Sequence, residues 1–244
     1  MKQVTYTIES NTPLAPSVYR MGLSGDTSAI ARPGQFINIA LTGLYLRRPI
    51  SVCDWDEKGL TIIYKAVGQG TGQLSRMVPG QTLDALAGLG NGFDIDACPD
   101  SPVLVGGGVG VPPLYGLARR LIAAGRKPSA ILGFNRAGEI FCDMDFAALG
   151  VPVTVTTADG SAGVKGFVTD ALETGAYVCA CGPEPMLRAV HGRASGGQFS
   201  FEARMGCGFG ACMGCTCETV AGYKRICRDG PVLAYDEIKW NESF

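Results

Sequence analysis

The stretch MGCGFGACMGCTC, residues 205–217, carries four of the ten cysteines in the chain. Cys207, Cys212 and Cys215 read C-x4-C-x2-C, and Cys227 follows in RICRDG. Three close thiolates and a distant fourth is the spacing that carries a 2Fe–2S cluster. A loop that supplies three ligands must turn sharply around a small inorganic core. Gly206, Gly208, Gly210 and Gly214 allow the positive φ angles this requires. They also let backbone N–H groups approach the sulfurs. Zinc is the rival reading, since four thiolates also make a structural zinc site, although a zinc ribbon shows two C-x2-C hooks and this chain shows one. Cys217 stands outside the four-ligand pattern and reads as a bystander thiol.

Composition narrows what such a site can serve. The chain has 244 residues, which suits two modest domains and an appendage. It is 46% hydrophobic and 18% charged with a net charge of −1, so nothing offers the basic face that nucleic acid needs. The opening MKQVTYTIES alternates like a strand and lacks an apolar signal core. No apolar run approaches the ~20 residues of a membrane helix. A cytoplasmic location is expected, with no membrane and no nucleic-acid partner. There thiols stay reduced and clustered cysteines act as ligands or redox groups.

The elements that position this chemistry fall into three segments, read as 1–98, 99–196 and 197–244. In the first, QVTYTIES, SVYRMGL, QFINIAL, PISVCDW and LTIIYKAV are short strands separated by turns, the pattern of an antiparallel barrel. LRRPISV sets Arg47 and Arg48 just before a strand, and GQGTGQLSRM supplies glycines and a hydroxyl before a short helix. Both suit a diphosphate; the bland alternative is a surface arginine pair and a plain turn. The character shifts at CPDSP. SPVLVGGGVGVPPLYGLARRLIAAG then reads as strand, glycine turn and a helix beginning near Pro112, a layout that gathers N–H groups around an anion. It is not the G-x-G-x-x-G fingerprint, because Val111 stands where the third glycine would be. PSAILGFN, VPVTVTT and AYVCACG read as further strands, and PEPMLRAVHG as a helix. Such alternation predicts a parallel sheet, with the glycine turn and the CGPEPM turn facing one crevice. His191 is alone and reads as a helix surface residue. Arg136 and Glu139 follow a strand, and an acid there favours NAD over NADP.

RRPIS, IIYKAVGQGT, GGGVGVPPL, CGPEPM and EARMGCGFGACMGC with CRDGPV together resemble the electron-transfer subunits of dihydroorotate dehydrogenase B, within the ferredoxin–NADP reductase superfamily. The resemblance runs over essentially the whole chain. It implies an α+β multidomain fold: an antiparallel β-barrel FAD domain, an α/β parallel-sheet nucleotide-binding domain and a small C-terminal 2Fe–2S domain. It implies that Arg48, Pro49, Ile50, Ser51, Ile63, Tyr64 and Lys65 contact FAD, and that Gly70 and Thr71 take its pyrophosphate. Gly106, Gly107, Gly108 and Gly110, with Cys181, Gly182, Pro183 and Glu184, would hold NAD as a diffusible substrate. Cys207, Cys212, Cys215 and Cys227 would ligate the cluster. Ile50 stands where the wider superfamily has an aromatic, so flavin stacking must come from elsewhere.

The implied activity is electron transfer between NAD and the FMN of a separate catalytic subunit, in a heterotetramer of two of each subunit, for pyrimidine biosynthesis. A hydride carries two electrons and a cluster takes one, so a flavin must stand between them, and no catalytic acid or base is required. The alternatives are a related subunit of sulfide dehydrogenase or of an electron-bifurcating ferredoxin reductase, or a non-enzymatic iron–sulfur sensor or zinc-stabilised module. The loop 205–214 is the expected docking face. Met205, Phe209 and Met213 would form its apolar patch, and Arg204, Lys224, Arg225 and Arg228 a positive rim.

Overall fold

Alternation of apolar and polar residues builds the first sheet. A computed structural model describes residues 1–240; positions 241–244, which the third segment of the sequence reading includes, lie outside the described residues. Strands β1 (Lys2–Ala15), β2 (Val18–Ser24), β3 (Phe36–Ile39), β4 (Arg48–Trp55) and β5 (Gly59–Lys65) correspond to the five expected from sequence. A short helix, α1 (Gln69–Leu74), follows β5, and a sixth strand, β6 (Thr82–Leu89), closes the barrel in the order β1-β2-β5-β4-β3-β6. Val4, Tyr6 and Ile8 of β1, Ile37 and Ile39 of β3, and Leu83, Ala85 and Ala87 of β6 fill its interior.

The second sheet is mixed. Its strands are β7 (Val103–Gly107), β8 (Ser129–Phe134), β9 (Val153–Thr157), β10 (Val164–Lys165), β11 (Tyr177–Cys181), β12 (Gly196–Ser200) and β15 (Val232–Ala234). Their order is β10-β9-β8-β7-β11-β12-β15, parallel except for β15. The chain leaves β7 toward β8 on one side, and β11 pairs with β7 on the other, so the topology switches direction between β7 and β11. Ligands of open α/β sheets bind at such a point, beyond the carboxyl ends of the strands. Helices α2 (Val111–Ala123), α3 (Asp143–Ala148), α4 (Val168–Ala171) and α5 (Glu184–His191) cover the faces. The α2 helix also lies on the barrel: Arg119 pairs with Asp54, and the Arg120 guanidinium sits 4.1 Å from the centre of the Trp55 ring.

The hairpin of β13 (Thr216–Thr219) and β14 (Gly222–Arg225) carries the C-terminal cysteine region. This region packs on the rest of the molecule. Cys215, Cys217 and Cys227 pack in one core with Leu187 and Val190 of α5, Phe199 of β12 and Leu233 of β15. No helix among the described residues is long and apolar enough to cross a membrane.

Candidate functional site

Cys207, Cys212 and Cys215 lie in a loop folded by its own backbone, and Cys227 returns beside Cys215 after the β13–β14 hairpin. Cys212 is exposed, Cys207 half-buried, and Cys215 and Cys227 are buried. The N–H of Ala211 donates to Cys207 Sγ at 3.2 Å, and that of Cys212 at 3.4 Å. Cys207 N–H donates to Cys212 Sγ at 3.4 Å and Cys227 N–H to Cys215 Sγ at 3.4 Å. Such donors favour thiolate over thiol. At Cys207 desolvation opposes ionisation, but the N–H groups of Cys212, Phe209 and Ala211 outweigh it and bring the pKa down to about 6. Burial, then the neighbouring Cys215 and the charge of Cys207, push Cys227 up to about 12. The sulfurs therefore stand as two adjoining pairs, 207 with 212 and 215 with 227. Among the described residues no three His, Cys, Asp or Glu side chains form a set for a single metal ion.

The glycines of this loop divide in role. Gly208 and Gly210 have φ of +78° and +92°, as the tight turn demands, and Met213 also takes a left-handed angle of +61°. Gly206 instead makes room for sulfur, since a Cβ there would lie 3.1 Å from Cys212 Sγ, whereas a Cβ at Gly214 would make an ordinary contact at 3.5 Å. Cys217 is buried on β13, in the core already described. Phe209 and Met213 are 42% and 55% exposed, whereas Met205 packs inward and leaves the expected apolar patch. The expected positive rim also shrinks, because Lys224 pairs with Glu237 and Arg225 with Asp229, while Arg204 and Arg228 remain exposed.

In the barrel, β4 and β5 separate. They pair only from Val52↔Ile62 to Trp55↔Leu60, although β4 begins at Arg48 and β5 runs on to Lys65. Arg48–Ser51 and Ile63–Lys65 thus border a gap with main-chain groups on facing edges. Their side chains serve differently. Ile63 and Tyr64 are buried; the Tyr64 hydroxyl donates to Asn11 Oδ1 at 2.9 Å and its ring stacks on Tyr19. Ile50 packs against the barrel core. These three offer a ligand their backbone, not their side chains.

The arginine pair splits as well. Arg47 is held by Asp84, whereas Arg48 forms no ion pair among the described residues and lies across Gly70, whose missing Cβ leaves the space the guanidinium stem fills. Thr71 Oγ1 accepts from Val67 N–H at 3.0 Å and Gly68 N–H at 3.3 Å, which shapes the turn into α1.

A cavity of ≈ 570 Å³ opens where this gap meets the second sheet. Lys65 lines it together with Gly107, Gly108, Gly110, Gly182 and Pro183. The turns after β7 and β11 meet because Cys181 pairs with Gly106, and Gly110 packs directly on the Cys181–Gly182 backbone. Gly106, Cys181 and Glu184 do not line the cavity: Gly106 faces Val111 and Leu114, Cys181 is buried with its thiol pushed up to about 12 by desolvation, and Glu184 starts α5.

Among the lining residues not singled out from sequence are Phe134, Thr156, Phe167, Met186 and Glu202. Met186 and Glu202 belong to quoted motifs, which was their signal. Thr156 and Phe167 reach the site only through the sheet topology. Thr156 Oγ1 is buried without a hydrogen-bond partner among the described residues. Desolvation pushes the Glu202 carboxyl up, although the residue as a whole is exposed. Glu139 also lines the cavity, accepting from Asn135 Nδ2 at 2.9 Å and Arg136 Nε at 3.1 Å. The donor sets fit the groups the resemblance implies: paired sulfurs ringed by N–H groups, an unpaired arginine at an open barrel edge, and glycine turns around a polar cavity.

Residues 202–239 match the family model of the iron–sulfur cluster binding domain of dihydroorotate dehydrogenase B. The chain is 41% identical to the dihydroorotate dehydrogenase B (NAD(+)) electron transfer subunit of Geobacillus sp. (strain WCH70), covering 98% of this chain and 99% of that one. It is 42% identical to the subunit of the same description from Bacillus caldolyticus, over 95% and 96% of the two chains. Among solved structures it is similar to an NADH-dependent reduced ferredoxin-NADP oxidoreductase studied for flavin-based electron bifurcation. That match has a TM-score of 0.85 and 30% identity, over 96% of this chain and 90% of that one. A ferredoxin NADP+ reductase from Neisseria gonorrhoeae with bound FAD and NADP shares the fold, with a TM-score of 0.66 and 16% identity over 79% and 91% of the chains.

Proposed function

Because this chain belongs to the family of electron-transfer subunits of NAD-dependent dihydroorotate dehydrogenase B, we propose that its three segments, 1–98, 99–196 and 197–244, serve FAD, NAD and a 2Fe–2S cluster in turn. When bound, FAD exchanges a hydride with the nicotinamide and single electrons with the cluster, which carries them one at a time.

The chain's own residues bind and orient. Arg48–Ser51 and the main chain of Ile63–Lys65 hold the flavin at the open β4/β5 edge, with the Arg48 guanidinium and the Gly70–Thr71 turn on its diphosphate. Gly107, Gly108, Gly110, Gly182 and Pro183 form the cradle for the nicotinamide nucleotide, supported from behind by Gly106, Cys181 and Glu184. The Glu139 carboxylate stands against a 2′-phosphate, in keeping with NAD. Cys207, Cys212, Cys215 and Cys227 would supply the thiolates that hold the cluster.

The observation that carries this reading is the single cavity shared by Lys65, at the end of the flavin strand, and both nucleotide turns. It lets hydride donor and flavin meet in one cleft. The partner is an FMN-containing catalytic subunit, two of each chain forming the complex, docked over the loop 205–214 in the cytoplasm. The test is purification of the chain alone and of the native complex. Flavin bands with broad iron–sulfur absorption, bleached by NADH, and co-purification of an FMN protein are expected. A colourless chain, or one that NADH leaves oxidised, refutes the reading.

A further inference from the structure

The short strand β3 reads Phe36-Ile37-Asn38-Ile39, and all four residues are buried. Ile37 and Ile39 point into the barrel, and Asn38, 1% exposed, faces the cysteine loop. Its Nδ2 donates to the carbonyl of Cys207 at 3.2 Å, a bond that joins residues 169 positions apart. Its Oδ1 is buried and has no hydrogen-bond partner among the described residues. An unpartnered acceptor costs as much as a neutral hydrogen bond gains, so an apolar residue would serve folding at least as well. The amide must be explained by what it holds.

It holds the loop to the barrel. On the barrel side, Asn38 pairs with Pro49, inside the run assigned to the flavin, and its carbonyl accepts from Arg47 Nη1 at 3.3 Å. Arg47 is itself anchored on Asp84 of β6, so the strand is braced from both neighbours. On the loop side, Gly208 comes so close that an added Cβ would overlap Asn38 Nδ2. The contact is a stop as well as a tether.

We propose that Asn38 is a positioning residue for electron transfer, fixing the Cys207 end of the cluster loop at a set distance from the flavin strand β4. This rests on the cofactor assignments above. The prediction concerns two substitutions made in the flavin- and cluster-loaded protein: Asn38→Leu removes the tether, and Gly208→Ala presses on the Asn38 amide from the loop side, at a φ of +78° that adds its own backbone strain. Four quantities are read: flavin and iron content, thermal midpoint, amide hydrogen exchange of residues 205–214, and stopped-flow rates of flavin reduction by NADH and of cluster reduction.

Both variants should keep their flavin and the NADH step. Exchange protection of the loop should fall by about 5- to 150-fold, the equivalent of roughly 1–3 kcal/mol. Cluster reduction should slow, and the cluster's electron paramagnetic resonance signal should broaden. Iron lost with flavin retained is the same displacement carried further. A lower thermal midpoint with unchanged loop exchange, cluster rate and cluster signal would make Asn38 a merely structural residue and overturn the proposal. Should Asn38→Leu fail to fold, wild-type behaviour of Gly208→Ala overturns it equally. Wild-type protein without flavin or cluster would instead overturn the cofactor assignment, and the proposal with it.

Discussion

Gly110 is where the two nucleotide turns touch. Its φ of −80° is open to any residue, so backbone conformation does not require glycine there. Space does. A Cβ would overlap the Cys181 carbonyl oxygen and lie 2.6 Å from Gly182 Cα. Both are backbone atoms, held by the pairing of Cys181 with Gly106 on one side and Ser200 on the other. No side chain can swing away, so Gly110→Ala must part the turns. Overpacking of this kind costs roughly 1–3 kcal/mol. If the nucleotide complex bears it, NADH affinity falls about 5- to 150-fold. Gly108→Ala is the comparison. Its φ is +51° and a Cβ there meets nothing within 4 Å. The left-handed backbone alone costs roughly 1–2 kcal/mol of folding stability, and any loss of NADH affinity reports contact with the nucleotide itself. The assay is stopped-flow flavin reduction against NADH concentration, with flavin and iron content as controls. Gly110→Ala with wild-type NADH dependence and undiminished stability would refute the reasoning, as would loss of flavin with NADH binding intact.

Three further outcomes follow from the same geometry. Arg48→Ala should weaken FAD retention about tenfold or more, since a charge-assisted hydrogen bond to phosphate is worth roughly 1.5–3 kcal/mol; unchanged retention after dialysis would move the diphosphate elsewhere. Cys217→Ser should leave iron and sulfide content intact while Cys227→Ser empties the site, and the reverse result would replace the quartet. Phe209→Asp should preserve cluster content and NADH-to-dye activity yet abolish NADH-dependent turnover of the reconstituted complex; full turnover would remove this loop from the interface.

Where the sequence was legible, a local pattern carried the information. Five barrel strands alternate over β-branched and aromatic residues, and the strand–turn–helix units of the second sheet announce themselves through glycine and proline. β6 alternates too, but through Leu83, Ala85 and Ala87 with Asp84 and Leu86 between them and Gly88 after, a run poor in β-branched and aromatic residues whose pairing with β1 and β3 decides the matter. Arg47 and Arg48 are indistinguishable side by side in sequence; only Asp84, brought alongside by barrel closure, separates the anchored arginine from the unpaired one. Tyr64 shows the opposite failure. A motif names the residue, yet its ring belongs to the barrel interior and only its backbone faces the gap. Thr156, Phe167 and Asn38 gave no signal, because each acts across elements distant in sequence.

The C-terminal segment shows why its cysteines are both clustered and dispersed. A loop this rich in glycine has few apolar side chains of its own, and a small segment cannot bury enough surface to fold alone. It therefore completes a core that already exists. β12 and β15 extend the nucleotide sheet, and Cys215, Cys217 and Cys227 pack beneath them against α5, the helix that begins at the CGPEPM turn. The outer pair, half-buried Cys207 and exposed Cys212, hangs from this base, and its Cys207 end is tied to the barrel through Asn38. The buried pair sits in a core that joins α5, β12 and β15 to Phe36 and Leu89 of the barrel. A shift between barrel and sheet would strain the four-sulfur set directly, so their relative placement is itself part of the ligand geometry.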